Sequence, residues 1–370
     1  MKGSILSILL MTMSISFDML ARNTAAAAAA QQAVPPPPAI FVIGDGFLDV
    51  GNNNDLTGGE IGDPPRANHP PYGCDFPGAR PTGRFSNGYN MADFIAQALG
   101  FPMSPPAYRS LPSPSPTKME GFTGVNYASA DAGIRASTNG NMTIPVDVQV
   151  MNFAETRAQL KALLGGRKPL NQFLSKSLFL LGAGTMDLLP QCNFYLQPNG
   201  DNTAEVQRLM EFYGASLTKL HGLGARKFGI INVGLLGCAP FARERSDGCD
   251  DSLNKLAGEF NAALETLLSD LGTKLHHFRY TLADLYGFTN ATVANPSASG
   301  FSNVESACCP GPCAPGAPMF GGACDNTMGY FFWDEGYISE QAAKLASAAF
   351  YNGKAFAKPV NIRQLIAIKG

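Results

Sequence analysis

Three short phrases hold the residues whose types and spacing could do chemistry. Asp45 lies in Gly44-Asp45-Gly46, directly after an apolar run over 39–43. Asp187 closes Gly184-Thr185-Met186-Asp187, after a second apolar run over 177–182. Asp334 opens Asp334-Glu335-Gly336-Tyr337, after Phe331-Phe332-Trp333. A carboxylate can orient a base, take up a proton, or cap a turn, and two at a definite separation can share acid/base work on a scissile bond. Nothing in the spacing singles out such a pair. Turn or cap chemistry at strand ends is the simpler role for Asp45 and Asp187. No serine lies in the first phrase: Gly46 has no side chain, and the next serine downstream is Ser86. The four histidines are His69, His221, His276 and His277, and none follows residue 277. His69, in a Gly/Pro-rich loop, is the one candidate to reach the first phrase.

The elements that would position these residues follow from apolar patterning. Runs without alternation over 39–43 and 177–182 are the pattern of strands buried on both faces of a parallel sheet. Further strands are expected at 124–129, 227–233 and 278–282. Helices are expected at 89–99, through Val148, Val150, Phe153, Leu160 and Leu163, and at 203–223, 251–271 and 340–350. This β-α alternation predicts a three-layer α/β/α sandwich around a five-stranded parallel sheet, since parallel strands need crossovers. Ligands of such sheets sit outside the carboxyl ends of the strands, where Asp45 and Asp187 would lie.

The phrases also resemble, in order, those of the plant GDSL esterases/lipases of the SGNH hydrolase superfamily. Gly44-Asp45-Gly46 through Asp49-Val50-Gly51-Asn52-Asn53 stands against F-G-D-S-x-x-D-x-G-N-N, and Gly83-Arg84-Phe85-Ser86-Asn87-Gly88 repeats G-R-F-S-N-G. Leu223-Gly224-Ala225-Arg226-Lys227, Gly237-Cys238-Ala239-Pro240, Asn295-Pro296, Cys308-Cys309 and Phe332-Trp333-Asp334 continue the resemblance over about 39–349. It implies a flavodoxin-like SGNH fold and, in the family, a serine nucleophile, a histidine base with its aspartate, and oxyanion donors from the serine, a glycine and an asparagine. Here Gly46 stands in place of the serine, Met186 in place of the asparagine, and Tyr337 in place of the histidine, while Asp334 is retained. The oxyanion glycine falls either at Asp131, in the loop after the second strand, or at Gly88. A thioether donates no hydrogen bond, and a phenol with an ordinary pKa near 10 is a poor base. The resemblance thus implies a GDSL-type protein with little or no esterase activity that binds an acyl ester or an acetylated, cell-wall-type carbohydrate. The alternative is an active ester hydrolase with a rearranged site.

Length and composition set the remaining bounds. The 370 residues are 45% hydrophobic with a formal charge of -2 and no long basic run, which fits one large domain and argues against a nucleic-acid partner. Lys2, an apolar stretch over 5–17 and the alanines at 25–30 read as a signal peptide over 1–30, too short in its apolar part for a stable membrane span. A Pro-rich spacer over 31–38, a domain over 39–355 and a C-terminal tail over 356–370 complete the expected organisation. Secretion and the even count of eight cysteines favour disulfides over a metal site, with Cys238 and Cys249 placed to close a short loop. Asn141 and Asn290 open glycosylation sequons. No cofactor or metal is expected.

Overall fold

The computed structural model describes residues 34–369 except 59–61, 114–115, 198–199, 312 and 314–322. The expected signal peptide therefore lies outside the described residues, as do residues 31–33 of the spacer.

Five short runs, β1 and β3 wholly apolar and β4 and β5 each opened by a cation, build the parallel part of the sheet. β1 (Ile40–Gly44), β2 (Gly124–Asn126), β3 (Leu178–Gly182), β4 (Lys227–Ile231) and β5 (Arg279–Ala283) pair in parallel in the order β2-β1-β3-β4-β5. That is the order of the flavodoxin-like doubly wound fold, in which the chain reverses direction of winding beside β1 and β3. The crossovers include α1 (Met91–Ala98), α2 (Val146–Leu163), α3 (Arg167–Lys176), α4 (Thr203–Gly222), the one-turn α5 (Pro240–Arg243) and α6 (Asp251–Lys274), and α7 (Leu285–Ala294) follows β5. Alternate strand residues face opposite ways. Phe41, Ile43, Phe179, Leu181, Phe228 and Ile230 join the core with α2, α4 and α6, through Phe153, Tyr213, Leu217, Phe260 and Leu264.

The sheet has six strands, not five. β6 (Asn303–Ala307) and β7 (Tyr330–Phe332) form a separate two-stranded parallel sheet, and α8 (Glu340–Asn352) packs against α1. The segment expected as a tail over 356–370 instead contributes β8 (Ala357–Lys358), antiparallel to β5, and α9 (Ile362–Ala367). Its anchors are buried Ile362 and Leu365, together with a bond from the Thr281 hydroxyl to Val360 O. A two-residue strand carries too little pattern to be seen beforehand.

The buried face of α2 also differs from expectation. Val148 and Leu163 are exposed, whereas Gln149 and Thr156 are buried. Each has a polar task that repays burial. The Gln149 amide accepts from Gly44 N at 2.8 Å and donates to Gly44 O at 2.9 Å and Ile144 O at 2.7 Å. Thr156 Oγ1 accepts from the Tyr127 hydroxyl at 2.7 Å. Gln149 thereby holds the last residue of β1, the threshold of the candidate site. Gly44 itself has φ 154°, and a Cβ there would lie 3.0 Å from Gly182 C with the carbonyl oxygen nearer still, so the close approach of β1 to β3 requires glycine.

Candidate functional site

The loop after β1 is tied down by its own polar residues. Asp45 N donates to Gly182 O at 3.0 Å, and Leu48 N and Asp49 N donate back to Asp45 O, making one tight turn. Buried Asp49 accepts from Gly51 N, Asn52 N and Ala130 N at 2.7–2.9 Å. Asn52 donates to Asn126 O and Ala128 O, and Asn53 donates to Ala130 O while its Oδ1 accepts from Ser129 Oγ at 2.6 Å. These residues knit the first loop to the loop after β2, and their work is to fix the position of Asp131.

Asp131 has φ 59°, a left-handed conformation that favours glycine and that Asp tolerates better than most residues. Its Oδ1 accepts from the Tyr337 hydroxyl at 2.8 Å. The Tyr337 ring lies across Gly46. A Cβ on Gly46 would sit 2.5 Å from Tyr337 Cζ and 2.6 Å from Cε1, with the hydroxyl oxygen closer still. The backbone of Gly46 is not left-handed, so the absence of a side chain there serves the fit of the phenol. Phe47 and Phe85 flank the same ring, with centroids 5.2 and 4.9 Å away. Met186 packs against this aromatic cluster as an apolar plug.

Asp334 sits behind the phenol. Its Oδ1 accepts from Tyr337 N at 2.7 Å and Gly336 N at 3.0 Å, and its Oδ2 from the Tyr72 hydroxyl at 2.8 Å. Sequence reasoning missed Tyr72, because nothing in its Pro-Pro-Tyr-Gly-Cys setting marks it as a site residue. Tyr72 edges onto Phe85 and Trp333, and disulfides Cys308–Cys324 and Cys309–Cys313 wall the cluster behind Trp333. Cys238–Cys249 closes its short loop as expected, while Cys74 and Cys192 are free, so the even count overstates the pairing.

The electrostatics are acidic throughout. Burial pushes Asp45 up to about 7 against the bonds from Phe47 N and the Thr185 hydroxyl, with Asp131 and Asp187 adding to the rise. Burial likewise raises Asp334 to about 6 and lifts Asp131 and Asp187, the last despite donors from Ile134 N, Arg135 N and the Thr138 hydroxyl. Burial and the neighbouring Asp131 carboxyl hold the Tyr337 phenol well above its ordinary range. It stays protonated and donates, so it takes no proton at neutral pH.

Gly88, the other candidate for the oxyanion glycine, is elsewhere. Its N–H donates to Ser86 Oγ at 3.2 Å, and a Cβ on it would meet the Glu340 carboxyl at the start of α8. The Gly-Arg-Phe-Ser-Asn-Gly phrase is structural: Arg84 forks onto buried Asp93 at 2.7 and 2.8 Å, and Asn87 Oδ1 accepts from Glu340 N at 2.8 Å. His69 comes to the edge of the site, its ring against Tyr72, but its one ring hydrogen bond is between Nδ1 and Pro70 O, while His221, His276 and His277 lie by the amino ends of β4 and β5. Asn290 is exposed on α7; the side chain of Asn141 lies outside the described ones. The space among Asp45, Leu48, Thr185 and Asn232 is a void of about 10 Å³, room for one water at most.

Comparison with known proteins places this arrangement. The chain is 36% identical to the GDSL esterase/lipase At1g71691 of Arabidopsis thaliana over 89% of its own length and 86% of the relative's. It is 34% identical to At1g29660 and 33% to At5g55050, GDSL esterases/lipases of the same plant, over 88–90% of each chain. The family model described as GDSL-like lipase/acylhydrolase matches residues 40–350. The chain thus belongs to the GDSL-like lipase/acylhydrolase family.

Proposed function

We propose that this family member has lost ester hydrolysis, with Gly46 at the nucleophile position, Met186 and Asp131 at oxyanion-donor positions, Tyr337 at the base position and Asp334 retained. One observation carries the reading: the Tyr337 ring takes the volume that any side chain at 46 would need. Attack on an acyl carbon needs an oxygen and a proton acceptor in contact. Among the described residues, the histidine-ring hydrogen bonds go only to Pro70 O and His276 O. A developing oxyanion would also face the Asp131 carboxyl rather than a donor.

The acyl or acetylated-carbohydrate ligand then binds beside the filled centre rather than in it. A groove of about 550 Å³ starts at Leu188 and Leu189, just past Met186, and continues along Phe241, Leu253 and Leu256 with Arg245 at its rim. Its mixed apolar and polar lining suits such a ligand. The same reading gives the chain a signal peptide over 1–30, a secreted destination and glycans at Asn141 and Asn290. No described helix is long and apolar enough to cross a membrane.

The test is an ester assay. Purified protein turns over short and long p-nitrophenyl esters no faster than buffer and escapes labelling by a fluorophosphonate probe. The triple variant Gly46→Ser, Met186→Asn, Tyr337→His gains about 100-fold or more over it, the scale of one oxyanion donor regained. Wild-type turnover that survives contaminant controls overturns the proposal; if it then falls in His69→Ala, a rearranged site is responsible.

A further inference from the structure

The sheet's amino ends carry a second, differently charged site. There β4 and β5 begin beside a pocket of about 290 Å³ lined by Arg226, Lys227, His277 and Arg279, with Asn171 and Gln172 adding amides. Among the described residues, no aspartate or glutamate lines it. Lys227 is 4% exposed, and its ammonium makes one hydrogen bond among the described residues, to Ile366 O at 2.6 Å, leaving two N–H groups unspent. Arg226 donates through Nη1 to His221 O and Ala225 O, at 2.7 and 2.6 Å, which leaves its other donors free. No salt bridge among the described residues engages Arg226, Lys227 or Arg279.

The titration pattern agrees with this geometry. Burial lowers Arg226, and burial with the nearby Lys176 lowers Lys227. His277 is lowered by His276 first, then by burial, Arg279 and Arg226. Every charged neighbour named is positive. His277 also stands at φ 62°, in the left-handed region. Like charges gathered in a recess, with no counter-charge among the described residues that line it, are costly unless an anion joins them.

We propose that this pocket binds a compact oxyanion of the phosphate or sulfate class. Tetrahedral oxygens match the planar fork of a guanidinium, and the ammonium of Lys227 offers a point charge at the floor. The volume fits a phosphate with a small attached group. The site is separate from the carboxyl-end cleft, so its occupancy stands or falls without the proposal on ester hydrolysis.

The experiment measures the thermal midpoint and calorimetric binding of the full chain with phosphate, sulfate and pyrophosphate, against chloride at matched ionic strength. The oxyanions raise the midpoint and chloride does not. Arg279→Ala, at an exposed side chain, and Arg226→Ala/Arg279→Ala each weaken binding, the double variant by at least about tenfold. Without added anion, Arg279→Ala is at least as stable as wild type, because it removes a repulsion. Phosphatidylcholine vesicles with and without phosphatidic acid separate the sources: co-sedimentation that needs phosphatidic acid and is lost in Arg279→Ala identifies a lipid headgroup, and its absence beside phosphate binding identifies a soluble ligand. Equal effects of chloride and phosphate, or unchanged phosphate binding in Arg279→Ala and the double variant, overturn the proposal.

Discussion

Gly46→Ser, made alone, destabilises the fold by about 3 kcal/mol or more and yields no esterase. The new Cβ would overlap the Tyr337 phenol, so the ring must leave. Overpacking of this kind costs about 1–3 kcal/mol, and breaking the bond to Asp131 leaves a half-buried carboxyl without its donor at a cost of about 1–3 kcal/mol more. The same substitution in a Tyr337→His background costs far less, because the smaller ring vacates the space. Chemical denaturation of the four proteins of this double-mutant cycle measures the coupling, expected near the upper end of the usual range, about 3 kcal/mol. A Gly46→Ser chain as stable as wild type would mean that the phenol does not occupy this position in solution. In practical terms, a serine alone cannot restore chemistry here; position 337 has to be opened first.

Stability falls as pH rises from about 4 to about 7, against the usual trend. Asp45 titrates at about 7 in the folded chain against an ordinary 3.8. A carboxyl that holds its proton more tightly when folded contributes stability that is complete below the unfolded value and is lost as pH climbs through the folded one. At 1.36 kcal/mol per pKa unit, Asp45 alone accounts for about 4 kcal/mol. Asp49 and Asp334, both raised by burial to about 6, act in the same direction. His221, lowered by burial, works the other way but is only partly enclosed. Thermal melts at pH 5 and pH 8 check the sign, with the higher midpoint expected at pH 5. Asp45→Asn, which mimics the protonated acid, flattens the slope. A midpoint that rises from pH 5 to pH 7.5 would contradict this account.

The frame of the molecule was legible because its central strands are short, largely apolar runs: β1, β3 and β4 begin or end within two residues of the expected limits. What escaped has physical causes. Gln149 and Thr156 are buried because their side chains bond to Gly44 and to Tyr127, partners far away in sequence, while apolar Val148 and Leu163 are left outside. β6 and β7 lie beside paired half-cystines, and their own sequences alternate too weakly to announce strands. At the candidate site, Gly46, Asp131, Met186, Asp334 and Tyr337, named from the resemblance, lie together in the structure, and Gly88 lies apart from them. The phenol lying over Gly46 and the bond from Tyr72 to Asp334 were not legible, since contacts made across 291 and 262 residues leave no local pattern. The first separation is the difference between 337 and 46.

The returning C-terminal segment bears on how the protein can be shortened. The family match stops at residue 350, yet β8 and α9 lie beyond it. A chain cut after 355 would bare the outer side of β5, an open template for pairing with another molecule. It would also take Ile366 O from the Lys227 ammonium and Val360 O from the Thr281 hydroxyl. Such a truncation is expected to run as self-associated species in size-exclusion chromatography, where the full chain elutes earlier than none of them.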